Sequence, residues 1–131
     1  MSSTQAETLI SAAQDYTGSW ADLGSQIDSF GKDAVAVWIQ NDINSGANTR
    51  VRCLAKHAYS TTLEYVLPIK TVSSSDVKIR GNYAEFDVDE DNNYVISWEL
   101  DGLIPICQIQ ISAGTAGTPA AQVDSAYYTL A

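Results

Sequence analysis

Asn93-Tyr94-Val95-Ile96-Ser97-Trp98-Glu99-Leu100 reads with a period of two. In an extended chain successive side chains point to opposite faces. Tyr94, Ile96, Trp98 and Leu100 therefore share one face, and Val95, Ser97 and Glu99 share the other. A helix would scatter the same four large apolar residues around its axis. The segment is a strand with one side in a core and one side wet, as in an antiparallel sheet.

The same period recurs along the chain. Val35, Val37 and Ile39 alternate with Ala36, Trp38 and Gln40. Val51, Cys53 and Ala55 alternate with Arg50, Arg52, Leu54 and Lys56, and Cys107, Ile109 and Ile111 alternate with Gln108 and Gln110. Turn-forming residues separate the runs. Asp42 to Asn48 predicts a hairpin, Gly81-Asn82 and Asp101-Gly102 predict tight turns, and Gly114 to Pro119 predicts a loop before a last strand, Gln122 to Leu130. Glu7 to Ala13 is the expected first strand. Pro68 and Pro105 fall at strand ends or kinks, where a missing amide donor is tolerated.

About nine strands result, at the spacing of a sandwich. No segment keeps a helical stripe over three turns. The expected fold is all-β, an antiparallel β-sandwich of jelly-roll type, with a closed barrel as the alternative. The expected organisation is a polar N-terminal arm over residues 1–8 and a single domain over 9–131. A chain of 131 residues can bury a core without staples.

Sixteen acidic residues against seven Lys and Arg give a net charge of −9. Nucleic-acid phosphates and anionic membranes would be repelled by such a chain, so neither is an expected partner. The start, Met1 to Glu7, has no basic region followed by an apolar segment, so no secretion signal is expected and synthesis falls in a cytoplasm. Cys53 and Cys107 lie in apolar strands and read as two buried thiols.

Chemistry is sparse. His57 is the single histidine. Cys53, four residues away on a strand, would lie about 13 Å from it, beyond hydrogen-bond reach. No nucleophile elbow, phosphate-binding loop or dinucleotide fingerprint occurs. Asp87, Asp89 and Asp91 alternate as in a calcium loop, but the sixth position is Asn92 and the twelfth is Trp98 where glycine and glutamate are needed. The run reads as a solvated turn. Asp87 and Glu99 have no mark that separates a carboxylate pair for sugar hydrolysis from surface acids. No catalytic residue, metal or cofactor is expected. Tyr16, Trp20 and Tyr59 are the candidate aromatics for a ligand or an interface, since exposed rings stack on sugars. Tyr127 and Tyr128 point to opposite faces of the last strand.

Several stretches together carry a resemblance: Trp20-Ala21-Asp22-Leu23-Gly24-Ser25, Ala55-Lys56-His57, Tyr65-Val66-Leu67-Pro68-Ile69, Gly102-Leu103-Ile104-Pro105 and Asp124-Ser125-Ala126-Tyr127-Tyr128. From about Trp20 to the C-terminus the chain resembles small β-sandwich virion proteins of tailed bacteriophages and prophages. The resemblance implies a non-enzymatic structural role in the virion, as a capsid decoration (cement) protein. It implies the major capsid protein or another virion protein as partner, and a homo-oligomer, with a trimer favoured. The alternatives are a tail or collar component and a carbohydrate-binding module holding a glycan.

Overall fold

The computed structural model describes residues 6–41, 48–57, 63–73, 76–86, 93–114 and 121–131. Thirteen strands occur among them: β1 (Glu7–Ile10), β2 (Gln14–Tyr16), β3 (Ala21–Asp22), β4 (Ile27–Asp28), β5 (Ala34–Asn41), β6 (Thr49–Lys56), β7 (Glu64–Val66), β8 (Ile69–Val72), β9 (Lys78–Arg80), β10 (Tyr83–Phe86), β11 (Asn93–Glu99), β12 (Ile106–Ala113) and β13 (Ala121–Leu130). The described residues contain no helix.

The strands form two antiparallel sheets. The first runs β1-β13-β5-β11-β8, with β2 also on β13, and the second runs β3-β12-β6-β10-β9, with β4 also on β12 and β7 also on β6. β1 and β2 lie end to end along β13, and β3 and β4 end to end along β12. Each couple acts as one interrupted strand, and β7 and β10 share the far side of β6. With β8 and β9 set aside as extensions beyond β11 and β10, the strands fill eight positions. They run 1-8-3-6 in the first sheet and 2-7-4-5 in the second. That order is the double Greek key of a jelly roll.

The thirteen strands exceed the nine expected because positions one, two and five each hold two strands and because β8 and β9 extend the sheet edges. Segments of two to four residues are too short to show a period. β1 ends at Ile10, and Ala12 and Ala13 are exposed. Glu7 and Thr8, expected in the arm, already pair with Tyr128 and Tyr127 of β13. The turn expected at Asp42 to Asn48 lies outside the described residues except for Asn48, but the hairpin is corrected: β5 lies in the first sheet and β6 in the second, so the two do not pair. Turn chemistry is the same for a hairpin and a crossing, and each of these long strands already has neighbours on both sides. Near the crossing the Thr49 hydroxyl donates to Asn41 Oδ1 at 3.1 Å, so two buried polar groups satisfy each other. Gly81-Asn82 does form a two-residue hairpin between β9 and β10, with Arg80 opposite Tyr83. Gly81 takes φ +67°, a conformation open to glycine at low cost.

The core lies between the sheets and is built from the inward alternation. Val35, Val37 and Ile39 of β5, Ile96 and Trp98 of β11, and Ile109 and Ile111 of β12 are buried. Phe86 of the second sheet stacks on Tyr94 of the first, ring centroids 4.4 Å apart. Cys53 and Cys107 are buried free thiols. They are diagonal neighbours on paired strands, since Cys53 faces Ile109 and Cys107 faces Ala55. Burial pushes the Cys53 thiol well up, and its hydrogen bond with Cys107 adds to this, so it stays protonated and unreactive at neutral pH.

Candidate functional site

The residues singled out from the sequence do not converge. Tyr16 is 4% exposed, a core residue at the end of β2, so its ring is closed to any ligand. Its hydroxyl donates to Gln14 Oε1 at 3.0 Å. Pairing of β2 with β13 turns the ring inward. Trp20 is half-buried against the outer face of the second sheet. Tyr59 and Asp87, Asp89 and Asp91 lie outside the described residues. His57 is exposed just beyond β6, whereas Cys53 is buried.

Burial pushes the Tyr16 phenol up to about 12. The fold favours its neutral form, so its contribution is complete below about pH 10 and is lost as pH rises toward 12. Urea midpoints should therefore fall above pH 10, and Tyr16→Phe should remove part of that fall. An unchanged slope in the variant would assign the alkaline loss to other groups.

The two outer faces differ in chemistry. The second sheet gathers Arg50, Arg52 and Lys56 on β6 and Lys78 and Arg80 on β9, five of the chain's seven cations. They are engaged with one another's neighbours. Arg52 donates through Nε and Nη2 to Gln110 Oε1 at 2.9 and 2.7 Å, and Gln110 Nε2 donates to Asp22 Oδ1 at 3.0 Å. The Arg52 guanidinium lies 4.3 Å from the Trp20 ring centroid, and Trp20 meets Tyr83 edge-on at 5.7 Å. Arg50 and Arg80 both reach Glu85, at 3.1 and 3.5 Å. Trp20 is thus a cover over a cationic network and not an open platform.

The first sheet is the reverse. Its outward positions form rows across the strands. Thr8, Tyr127, Trp38 and Val95 make the middle row. Ser125, Gln40 and Asn93 lie on one side of it, and Thr129, Ala36, Ser97 and Thr71 on the other. None of these side chains is charged, in a chain of net charge −9. Trp38 is 47% exposed and Tyr127 38%, although β5 and β13 are interior strands of the sheet. Trp38 was legible opposite the apolar side of β5, and Tyr127 only as one of two adjacent tyrosines on opposite faces of β13. Their pairing was not, because it joins positions far apart in the chain.

A third feature sits at one end of the sandwich. Ala55, His57, Leu63, Tyr65, Leu103, Ile104 and Pro105, with Lys56 and Glu64, line an open apolar cavity of about 270 Å³. The loop carrying Phe30 is tied to the same end by Ser29 N–H to Pro105 O and Gly31 N–H to Gly102 O, both 2.9 Å. Of the seven large apolar side chains exposed among the described residues, Phe30, Leu63, Tyr65 and Leu103 gather here. No described strand pairs with the outer side of β7.

Among the described residues no cluster of three or more His, Cys, Asp or Glu could hold a metal ion, and no helix is long and apolar enough to cross a membrane. Fold and surfaces define the class as an antiparallel β-sandwich with an apolar end and one sheet face whose central rows carry no charge. Comparison with protein-family models, with curated proteins and with solved structures finds no match to this chain.

Proposed function

We propose that the protein is a non-enzymatic structural component of a tailed-bacteriophage virion, a capsid decoration protein that seats its apolar end on the head lattice. The observation that carries this reading is the gathering of Phe30, Leu63, Tyr65 and Leu103 beside the open edge of β7. Clustered exposed apolar residues mark interaction sites, and a bare edge strand can pair with a neighbouring chain. The resemblance of the stretches from Trp20 onward supplies the partner class, a major capsid or other virion protein. A repeated lattice makes weak individual contacts sufficient, because linked subunits bind with avidity. A cyclic trimer would place three such ends together. The acidic remainder of the surface keeps free copies apart before assembly.

Quantitative mass spectrometry of purified particles tests this. Decoration requires on the order of hundreds of copies per particle, as a lattice-wide multivalent binder must have. A dozen or so copies would place the protein in the tail or collar, and absence from particles would remove the virion reading altogether. Leu103→Asp, at an exposed site outside the core, should leave the fold intact and lower the occupancy sharply.

A further inference from the structure

We propose that the outer face of the first sheet is a binding site for a neutral oligosaccharide, with Trp38 and Tyr127 as its stacking platform. The inference is independent of the virion reading, since it concerns a different surface from the apolar end.

Trp38 and Tyr127 face each other directly across β5 and β13. Side chains so paired hold their Cβ atoms about 4.5–5.5 Å apart. Among the described residues the ring-ring contacts are Trp20–Tyr83 and Phe86–Tyr94, so Trp38 and Tyr127 are not stacked on each other. Two separate rings side by side on a sheet present an apolar strip with room for adjacent pyranose units. The C–H faces of a sugar ring pack on such aromatic surfaces, while its hydroxyls need hydrogen-bond partners around the rim.

The rim supplies hydroxyl and amide groups only. Thr8 flanks Tyr127 in the row, and Gln40 and Ser125 lie in the next, joined by a 3.3 Å hydrogen bond from the Ser125 hydroxyl to Gln40 Oε1. No charged side chain stands in these rows, although the second sheet concentrates most of the cations and the chain is strongly acidic. Within these rows a phosphorylated or sulfated ligand would find no cation and a cationic one no carboxylate; the carboxylates of this face, Asp15 and Glu99, stand outside them. A neutral sugar matches this face in charge and in kind. A protein partner is the less favoured occupant. The apolar area of Trp38, Tyr127 and Val95 is small beside the roughly 800 Å² that each partner buries in a standard interface.

The experiment is a titration of the full chain with cellohexaose, maltohexaose, chitohexaose and xylohexaose, and with polygalacturonate as the anionic control. Tryptophan fluorescence and isothermal calorimetry are the readouts. At least one neutral hexasaccharide should bind with a Kd of about 10⁻⁵ to 10⁻³ M, modest for a shallow open face. Trp38→Ala and Tyr127→Ala should each weaken it at least about tenfold, with Trp38→Phe intermediate. Trp20→Ala should leave it unchanged. Circular dichroism and the urea midpoint of each variant separate lost binding from lost fold. Failure of all four sugars at millimolar concentration overturns the proposal. So does binding that survives Trp38→Ala in a folded protein. Self-association in light scattering that disappears with Trp38→Ala, without sugar binding, would make the face a subunit interface and overturn the sugar site as well.

Discussion

Trp98→Ala should cost about 3–5 kcal/mol, the range for removing a buried aromatic side chain. Trp98 is fully buried in β11 of the first sheet, with Val35 and Ile69 opposite it on the flanking strands. Among the described residues no other fully buried side chain is larger. Domains of this size are stable by roughly 5–15 kcal/mol, so the loss is a large part of the whole. In urea the midpoint should drop, and the melting temperature should fall by roughly 10–20 °C. Trp98→Phe should behave very differently. Among the described residues the indole Nε1 is buried with no hydrogen-bond partner. Phenylalanine removes that orphaned donor, whose desolvation costs about 1–3 kcal/mol, while keeping a ring in the core. The two effects oppose, and the net change should lie within about 1 kcal/mol. If Trp98→Phe were as damaging as Trp98→Ala, the indole N–H would have to be satisfied in the folded protein.

Gly24→Ala should cost about 3 kcal/mol or more, from two separable causes. Gly24 has φ +74°, a left-handed conformation that costs an L-residue roughly 1–2 kcal/mol. A Cβ there would also lie 2.7 Å from the Leu9 carbonyl oxygen and 3.0 Å from its carbon. Backbone atoms of a paired strand cannot step aside as a flexible side chain can. The close approach exists because Gly24 interrupts the strand formed by β3 and β4, where it passes under β1 of the other sheet. The Gln108 amide spans the interruption, donating to Gly24 O at 3.2 Å and to Ile109 O at 3.0 Å. Gly31 is the control. It has φ +81° but nothing within 4 Å of an added Cβ. Gly31→Ala should therefore show the conformational cost alone. Equal urea midpoints for the two variants would refute the close contact with Leu9.

Legibility in the sequence was uneven for identifiable reasons. β5 and β11 were readable because each alternates along its whole length: Val35 to Ile39 and Tyr94 to Trp98 bury the side that their period assigned, whereas β12 is covered on both faces and buries Gln108 as well. Trp98 was readable as core from its place beside Ile96 and Leu100, and all three are buried. The placement of Tyr16 and Trp20 was not legible because the segment from Gln14 to Asp28 carries only short strands, β2, β3 and β4. Its Gly and Ser residues resemble a surface loop, yet pairing to β13 and β12 makes it structure. The apolar end was legible only in pieces. Leu103 and Tyr65 are ordinary apolar residues in sequence, and the cavity forms where β7 and the loop before β12 meet.

The sequence by itself determined that the chain is all-β and which side chains of β5 and β11 face inward. The reason is local: the alternation of a strand is covalent geometry, repeated at every residue. Tertiary structure alone decided which strands are neighbours, that β5 and β6 belong to different sheets, and that Cys53 lies beside Cys107. It also decided that one outer face is covered by an arginine network while the other leaves Trp38 and Tyr127 open among uncharged neighbouring rows. Those outcomes depend on pairings between segments far apart in the chain, such as β12 with β3 and β13 with β5. Closing such pairings is a property of the whole molecule, and no short window of sequence contains it.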